Sequence, residues 1–366
     1  MSSRKVLAST KDVKSGMILA QDVYNTSDVL LIPKDLKLNQ SCLDKIDELG
    51  ITSIWVLDDY VDGITQQEFD RMQQETNKGN SLKKELSETC KQAYSHSKES
   101  VQDVLSDLSK GKSVDMKKVA GTSENLLKEF SYNLDIVRAL NSFRGSDDYT
   151  YTHSINVALL CSMMGKWLNM NEQEIKDLTM AGLLHDLGKA KIPLEILNKP
   201  AGLTDEEYET VKDHSVMGYR AVEALNNVNN NIKMGVLMHH ERLDGSGYPL
   251  RAKGPQIHQY AKIVGIADVF DAMTSDKVYK KKRFPFEVFE ELERMAFNKL
   301  EPELLFLFLK NMAKYYVGEI VQLNTGEYGE IVFINPTCVY KPIIKVDNAF
   351  VDLLYESNVR IESFAV

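Results

Sequence analysis

Two histidines stand side by side in "LMHHERLDGSGYP", Leu237 to Pro249, followed by an acid and a glycine-rich turn. Neighbouring residues on a helix point about 100° apart, so a regular helix cannot aim His239 and His240 at one point. At a helix end the backbone can turn, and both imidazoles can then reach one cation. That reading needs further ligands elsewhere in the chain. Five of the seven histidines lie between His153 and His240, each in or beside an apolar segment. His185 and Asp186 close the run "MAGLLHDLGK", His214 opens "HSVMGY", and Asp268 sits inside "IVGIADVF". Taken singly, each has a plainer reading: a satisfied core histidine, a cap, a salt-bridge partner. Together they are costly to bury without a cation. The set His153, His185, Asp186, His214, His239, His240 and Asp268 therefore reads as a metal site.

The donor chemistry narrows the ion. Five imidazoles and two carboxylates with no thiolate suit Fe, Mn or Zn-like ions in an open geometry. A carboxylate can bridge two cations and an imidazole cannot, so a His-Asp doublet at a helix end suits a two-metal centre with Asp186 as the bridge. Two such ions lower the pKa of a bridging water and clamp both oxygens of an in-line displacement at phosphorus. Lys189 lies four residues after His185 and could reach a phosphate oxygen. "KVYKKKR", Lys277 to Arg283, is either an anion contact or a solvated charge run.

The elements that must hold these residues can be read coarsely. The 366 residues suffice for two or three domains, and 43% hydrophobic with 27% charged residues is a globular composition. A net charge of −9 argues against a nucleic-acid polymer as partner. The four scattered cysteines, Cys42, Cys90, Cys161 and Cys338, suggest neither a disulfide framework nor a thiolate zinc site, and point to a reducing, cytoplasmic compartment. The start lacks a signal-peptide core, and no run of 18 apolar residues suggests a membrane span. Residues 1–60 read as a small α/β module, with strands in "MILAQDVY", "DVLLIPKD" and "ITSIWVL" and a helix in "NQSCLDKIDELG". Residues 61–129 read as a polar helical linker. Its thin stripe, Leu82, Leu86, Ala93, Val101, Val104 and Leu108, suggests an exposed or pairing helix and a dimer contact. His96 in that stretch reads as a solvated histidine. Residues 130–316 carry the helices with the candidate ligands, and "SMMGKWLNM" reads as core filler. Gly188 is expected to turn the chain at a helix C-terminus. Residues 317–366 read as a small β appendage with a hairpin at "NTGEYG".

"HDLGKAKIP", "HSVMGY", "HHERLDGSGYP" and "ADVFDAMTSDKVYK" together resemble the HD-GYP family, a branch of the HD phosphohydrolases, over about residues 130–315. "KDVKSGMILAQDVY" resembles the small N-terminal module of many such proteins. The resemblance implies a mainly α fold, an HD-type helical bundle around a metal centre. It implies hydrolysis of cyclic di-GMP to linear pGpG and, as often in the family, on to GMP. It implies His153, His185, Asp186 and Asp268 on one metal, and Asp186, His214, His239 and His240 on the second. Lys189 would position phosphate or nucleophile beside Asp186. Gly247, Tyr248 and Pro249 would shape the substrate mouth and, with the N-terminal module, dock protein partners. Where the family commonly shows Arg-Pro-Tyr-Arg, this chain has Lys277-Val278-Tyr279-Lys280, which keeps the charge and loses the bidentate guanidinium. That leaves open another cyclic dinucleotide, such as cyclic GMP-AMP, or a nucleotide-binding signalling module with little turnover. Members with three ions carry a glutamate one turn before the first ligand histidine. Here that position is Tyr149 and Asp148 is one place off, so two divalent ions are expected, Fe or Mn.

Overall fold

The structure is a computed structural model. It describes residues 4–10, 13, 17–20, 23–24, 30–32, 36, 38, 42–43, 46 and 53–58. It also describes residues 82–365 except 83–84, 144–148, 198, 200–201, 226–227, 276–282, 297, 336–337, 348 and 357. The chain divides into a unit over Met1–Asn77 and a unit over Lys78–Val366.

The first unit holds strands β1 Arg4–Ser9, β2 Ile18–Leu19, β3 Val23–Tyr24, β4 Leu30–Ile32 and β5 Ser53–Asp58. β1, β5 and β2 form one antiparallel sheet in that order, and β3 pairs with β4. Val13, Leu19, Leu38, Ile46, Ile54 and Val56 form its core. Ile46 belongs to the expected helix; Leu49, on the same stripe, lies outside the described residues. Strand β1 was not expected, since "RKVLAS" shows no clean alternation of apolar and polar residues.

The second unit is a helical bundle ending in a sheet. Helices α1 Glu88–Ser109, α2 Met116–Glu129 and α3 Asn133–Ser142 lead into the core. The segment "SENLLKEFSYNLDIVRAL" is thus two helices, broken after Glu129. The stripe of α1 is not an unpartnered face: Ala93, Val101, Val104 and Leu108 are buried in the bundle of the same chain. This corrects the expectation of an exposed or pairing helix. A sequence stripe shows that a face needs cover, and the cover here is intramolecular. His96 is exposed, as expected.

Helices α4 Tyr149–Trp167 and α10 Gln259–Thr274 form the centre of the bundle. Ile155, Val157, Leu160, Met163 and Met164 of α4 are all fully buried, as are Ile263, Val264, Ile266 and Phe270 of α10. Helices apolar on every side belong in the interior, and any polar group on them must find a partner there. Between them in sequence come α5 Glu172–Leu184, a 3-10 turn Leu187–Lys191, α6 Leu194–Leu197, α7 Asp205–Lys212, α8 His214–Glu223 and α9 Asn230–Met238. Reciprocal capping boxes, Asn171 with Glu174 and Thr204 with Glu207, start α5 and α7. Proline in the first turn starts α11 Pro285–Met295 and α12 Pro302–Ala313.

Five antiparallel strands follow, β6 Ile320–Leu323, β7 Tyr328–Phe333, β8 Ile343–Val346, β9 Ala349–Asp352 and β10 Ile361–Phe364, in the order β10-β6-β7-β8-β9. β6 and β7 are the expected hairpin. Among the described residues, no helix is long and apolar enough to cross a membrane.

Candidate metal centre

His153 projects from the second turn of α4, His185 caps α5, His214 opens α8, and His239 follows α9. All four are at most 2% exposed, and Asp186 and Asp268 are buried beside them. The structure brings these residues into two adjoining groups that share Asp186. One is His153, His185 and Asp186, and the other is Asp186, His214, His239 and His240. Within each, the candidate donor atoms lie within 4.8 Å of one another. Asp268 stands against both, its Oδ1 3.1 Å from His153 Nε2 and its Oδ2 3.7 Å from His240 Nδ1.

Three of the rings are aimed by the C-terminal end of the helix just before them. The Nδ1–H of His185 donates to the Gly182 carbonyl at 2.7 Å, that of His214 to Val211 at 2.7 Å, and that of His239 to Val236 at 2.8 Å. The last carbonyls of a helix lack an intrahelical partner, so a histidine at that end can take one and turn Nε2 the other way. The Nε2 atoms then converge: His185 on His153 at 3.3 Å, and His214 on His239 at 3.3 Å. Asp186 Oδ1 is buried with no hydrogen-bond partner, 3.4 Å from His214 Nε2. The facing lone pairs of His214 and His239 and the orphaned carboxylate oxygen are unfavourable by themselves, and a cation between them removes the conflict. The residues present fit a metal centre.

The charges agree. Burial pushes the Asp186 carboxyl up, but Lys189 and His185 outweigh it and hold it well below the usual range. Asp268 is held low in the same way, burial being overcome by its bond to His153 and by His240. Burial drives His239 well below the usual histidine value and His240 down to about 3, so both are neutral donors. His153 is the exception: burial lowers it, yet Asp268 and Asp271 raise it to about 9.

Asp271 is a site residue that sequence reasoning missed. Its Oδ2 accepts from His153 Nδ1 at 2.7 Å, which fixes the ring and its tautomer. The signal was available, because Asp271 follows Asp268 by one helical turn on an otherwise apolar helix. Glu241 was missed too. Buried at 4% exposure, it accepts from the backbone N–H of Leu250 at 2.6 Å and of Ala252 at 2.9 Å, and so ties down the loop after Gly247, Tyr248 and Pro249. Tyr248 lays its ring 4.6 Å from that of His240, at the edge of the second group. A side chain at Gly247 would strike the His240 carbonyl at 2.5 Å, so only glycine lets the loop return onto the histidine pair.

Gly188 acts differently from expectation. It is not a left-handed helix cap: the chain runs on from His185 into a 3-10 turn. A Cβ there would lie 1.9 Å from the His214 carbonyl, so this glycine lets the His-Asp doublet sit against the start of α8. In that turn Lys189 Nζ reaches Asp186 Oδ2 at 2.6 Å. Lys277, Val278, Tyr279, Lys280 and Asp148 lie outside the described residues, as does the Tyr149 side chain.

Comparison with known proteins agrees with this geometry. Residues 136–304 match the HD domain family model. The chain is 32% identical over 254 residues to a cyclic di-GMP phosphodiesterase of Pseudomonas aeruginosa, covering 69% of this chain and 61% of that one. It is 37% identical over 180 residues to a cyclic di-GMP phosphodiesterase of Thermotoga maritima, covering 48% of each. A 3'3'-cGAMP-specific phosphodiesterase of Vibrio cholerae is 32% identical over 191 residues, 50% of this chain and 43% of that one. The chain thus spans less than two thirds of each of these relatives. The solved structure of an HDG"Y"P protein from Bdellovibrio bacteriovorus shares the fold, with a TM-score of 0.51 over 83% of this chain and 98% of that one at 13% identity. Through residues 136–304 the chain belongs to the HD domain family, in its HD-GYP branch.

Proposed function

We propose that this protein is a metal-dependent phosphodiesterase that hydrolyses cyclic di-GMP to linear pGpG. The observation that carries the reading is the pair of donor groups joined at Asp186. Two divalent ions, Fe or Mn by the donor chemistry, would occupy them. When bound, such ions supply an acidified water and neutralise phosphate charge. The chain's own residues do the rest. His153, His185, Asp186 and Asp268 hold the first ion; Asp186, His214, His239 and His240 hold the second. Lys189, 2.6 Å from Asp186, keeps a cation at the edge of the centre, where it can orient a phosphate oxygen. Lys277 and Lys280 contribute further phosphate contacts. The Gly247-Tyr248-Pro249 loop walls the mouth and lays an aromatic face beside His240 on which a base can stack.

The domain division that supports this reading is a module at 1–60, helices at 61–129, the catalytic bundle at 130–316 and the β appendage at 317–366. The first module and the GYP loop are the surfaces proposed for partner proteins. None of the four cysteines is in a disulfide, which suits the cytoplasm. A second substrate is favoured by a specific observation: the similarity to the Vibrio cholerae relative, joined to the lysines that replace the usual arginines, makes cyclic GMP-AMP the competing substrate. The test is metal analysis of anaerobically purified protein, with hydrolysis of both cyclic dinucleotides measured on the same sample. Two ions per chain with turnover of cyclic di-GMP supports the proposal. Metal-loaded protein that binds the nucleotide without turnover would make it a signalling module instead.

A further inference from the structure

We propose that the metal centre is positioned from outside the HD domain, by Tyr94 of α1, through the hydrogen-bonded chain Tyr94–Asn156–Asp271–His153. The inference rests on the metal-centre reading above. Tyr94 is 2% exposed, and its ring stacks on Phe143 with centroids 4.0 Å apart. Its hydroxyl donates to Asn156 Oδ1 at 2.8 Å, with the Thr152 carbonyl more distant at 3.5 Å. Asn156 Nδ2 donates to Asp271 Oδ1 at 2.9 Å, and Ser275 Oγ donates to the same oxygen at 3.2 Å. Asp271 Oδ2 is thereby left for His153 Nδ1 at 2.7 Å.

Chemistry fixes each direction. A carboxylate only accepts, so Asn156 must turn its NH2 to Asp271 and its oxygen to Tyr94. That oxygen needs a donor, and the phenol is one. At the far end the proton held on His153 Nδ1 turns Nε2 into the centre, 3.3 Å from His185 Nε2.

His153 needs this outside support for a reason that His185, His214 and His239 do not share. His185, His214 and His239 each take a carbonyl from three residues back, at or beside a helix end. His153 sits inside α4, where the carbonyls are committed to the helical ladder. Its orientation is therefore supplied laterally, by Asp271 from α10 and, behind it, by Asn156 and Tyr94. Buried networks of this kind are strong when every member is satisfied and lose much when one is removed. Tyr94 lies upstream of the HD match at 136–304, on a helix with no candidate ligand. Tyr94 and Asn156 are thus positioning residues, and any shift of α1 along α4 would reach His153 through them.

The test uses the full chain and Co2+ as probe. Tyr94→Phe keeps the ring and its stack and removes one oxygen; Asn156→Leu keeps the volume and removes the link. Outer-sphere partners of a ligating histidine change metal affinity by about 10- to 100-fold. The expected result is about tenfold weaker binding of one of two Co2+ ions in Tyr94→Phe, a larger loss in Asn156→Leu, and a shifted d–d absorption band, with the second ion unaffected. Parent affinity and spectrum in both variants would overturn the inference. So would equal weakening of both ions that tracks a lower thermal midpoint of the metal-free protein, since that is a general packing role. Parent protein that takes up no divalent ion would instead overturn the metal-centre reading, and this inference with it.

Discussion

His214 and His239 face each other with their Nε2 atoms 3.3 Å apart, while each ring's Nδ1–H is committed to a carbonyl. Neither Nε2 then carries a proton, and two lone pairs meet in a buried site. A cation placed between them turns this conflict into binding free energy. Chelation should therefore destabilise the fold, and reloading with Mn2+ or Fe2+ should restore it. At a hundredfold excess over Kd the gain is about 2.7 kcal/mol per ion. Urea unfolding of chelated and reloaded protein measures it, and identical curves would leave the facing rings unexplained by metal.

Asp186 joins the two groups, its Oδ2 3.3 Å from His185 Nε2 and its Oδ1 3.4 Å from His214 Nε2. Asp186→Ala is expected to strip both ions and abolish hydrolysis. His240 belongs to one group alone, so His240→Ala should lose one ion and keep the other. Metal content by elemental analysis reads both. Two ions retained in Asp186→Ala with normal turnover would defeat the bridging assignment, and equal loss of both in His240→Ala would defeat the partition.

The ligands were legible because imidazoles and carboxylates inside apolar helices are anomalous without any knowledge of neighbours. The hairpin and the buried stretches of α4 and α10 were legible for the same local reason, as periodicity and run length carry them. What was not legible is contact across distant helices. Nothing near Tyr94 or Asn156 marks them as bonded to each other across 62 residues, or Asn156 as bonded to Asp271 across 115. Asp271 itself was readable from its spacing to Asp268. The stripe on α1 announced a partner surface without saying which. Gly188 was read as a cap because sequence shows that a glycine is needed and not whether a dihedral angle or a neighbouring backbone requires it.

Lys277 and Lys280 are proposed to meet phosphate oxygens, a contact that salt screens when it is exposed. Lys277→Ala and Lys280→Ala should each raise KM severalfold with both ions retained, and the parent's KM should rise with ionic strength. If KM is unchanged in both variants, the run Lys277 to Arg283 is a solvated charge run.

The ion count is open to direct measurement. Tyr149 stands where the HD-GYP resemblance would place the glutamate of a three-ion site, and a phenol with an ordinary pKa of about 10 is a poor ligand for such ions at neutral pH. Two ions are expected. A crystal of metal-loaded protein, with anomalous data at the metal edge, should show two peaks, and a third at full occupancy beside Tyr149 or Asp148 would refute the count.

His153 makes metal uptake depend on pH. In the metal-free fold its pKa is raised from 6.5 to about 9: burial works against the charge, and the bonds to Asp268 and Asp271 prevail. A group raised on folding contributes stability that is fully present below its unfolded value and is lost as pH rises through the folded one. For His153 the contribution is whole below 6.5 and gone above about 9. A metal ligand must be neutral, so the ion competes with the proton on Nε2, the one that faces Asp268 Oδ1 at 3.1 Å. His240, at about 3, has no such proton to lose. Binding at about pH 7.5 should therefore release a proton from His153, and affinity should rise with pH until it levels off near 9. Calorimetric titration of chelated protein with Mn2+, in buffers of different ionisation enthalpy, counts the proton. His153→Gln, which cannot carry that charge, should bind more weakly and release less. Proton release that is zero in the parent, or undiminished in His153→Gln, would show that His153 is already neutral before the metal arrives.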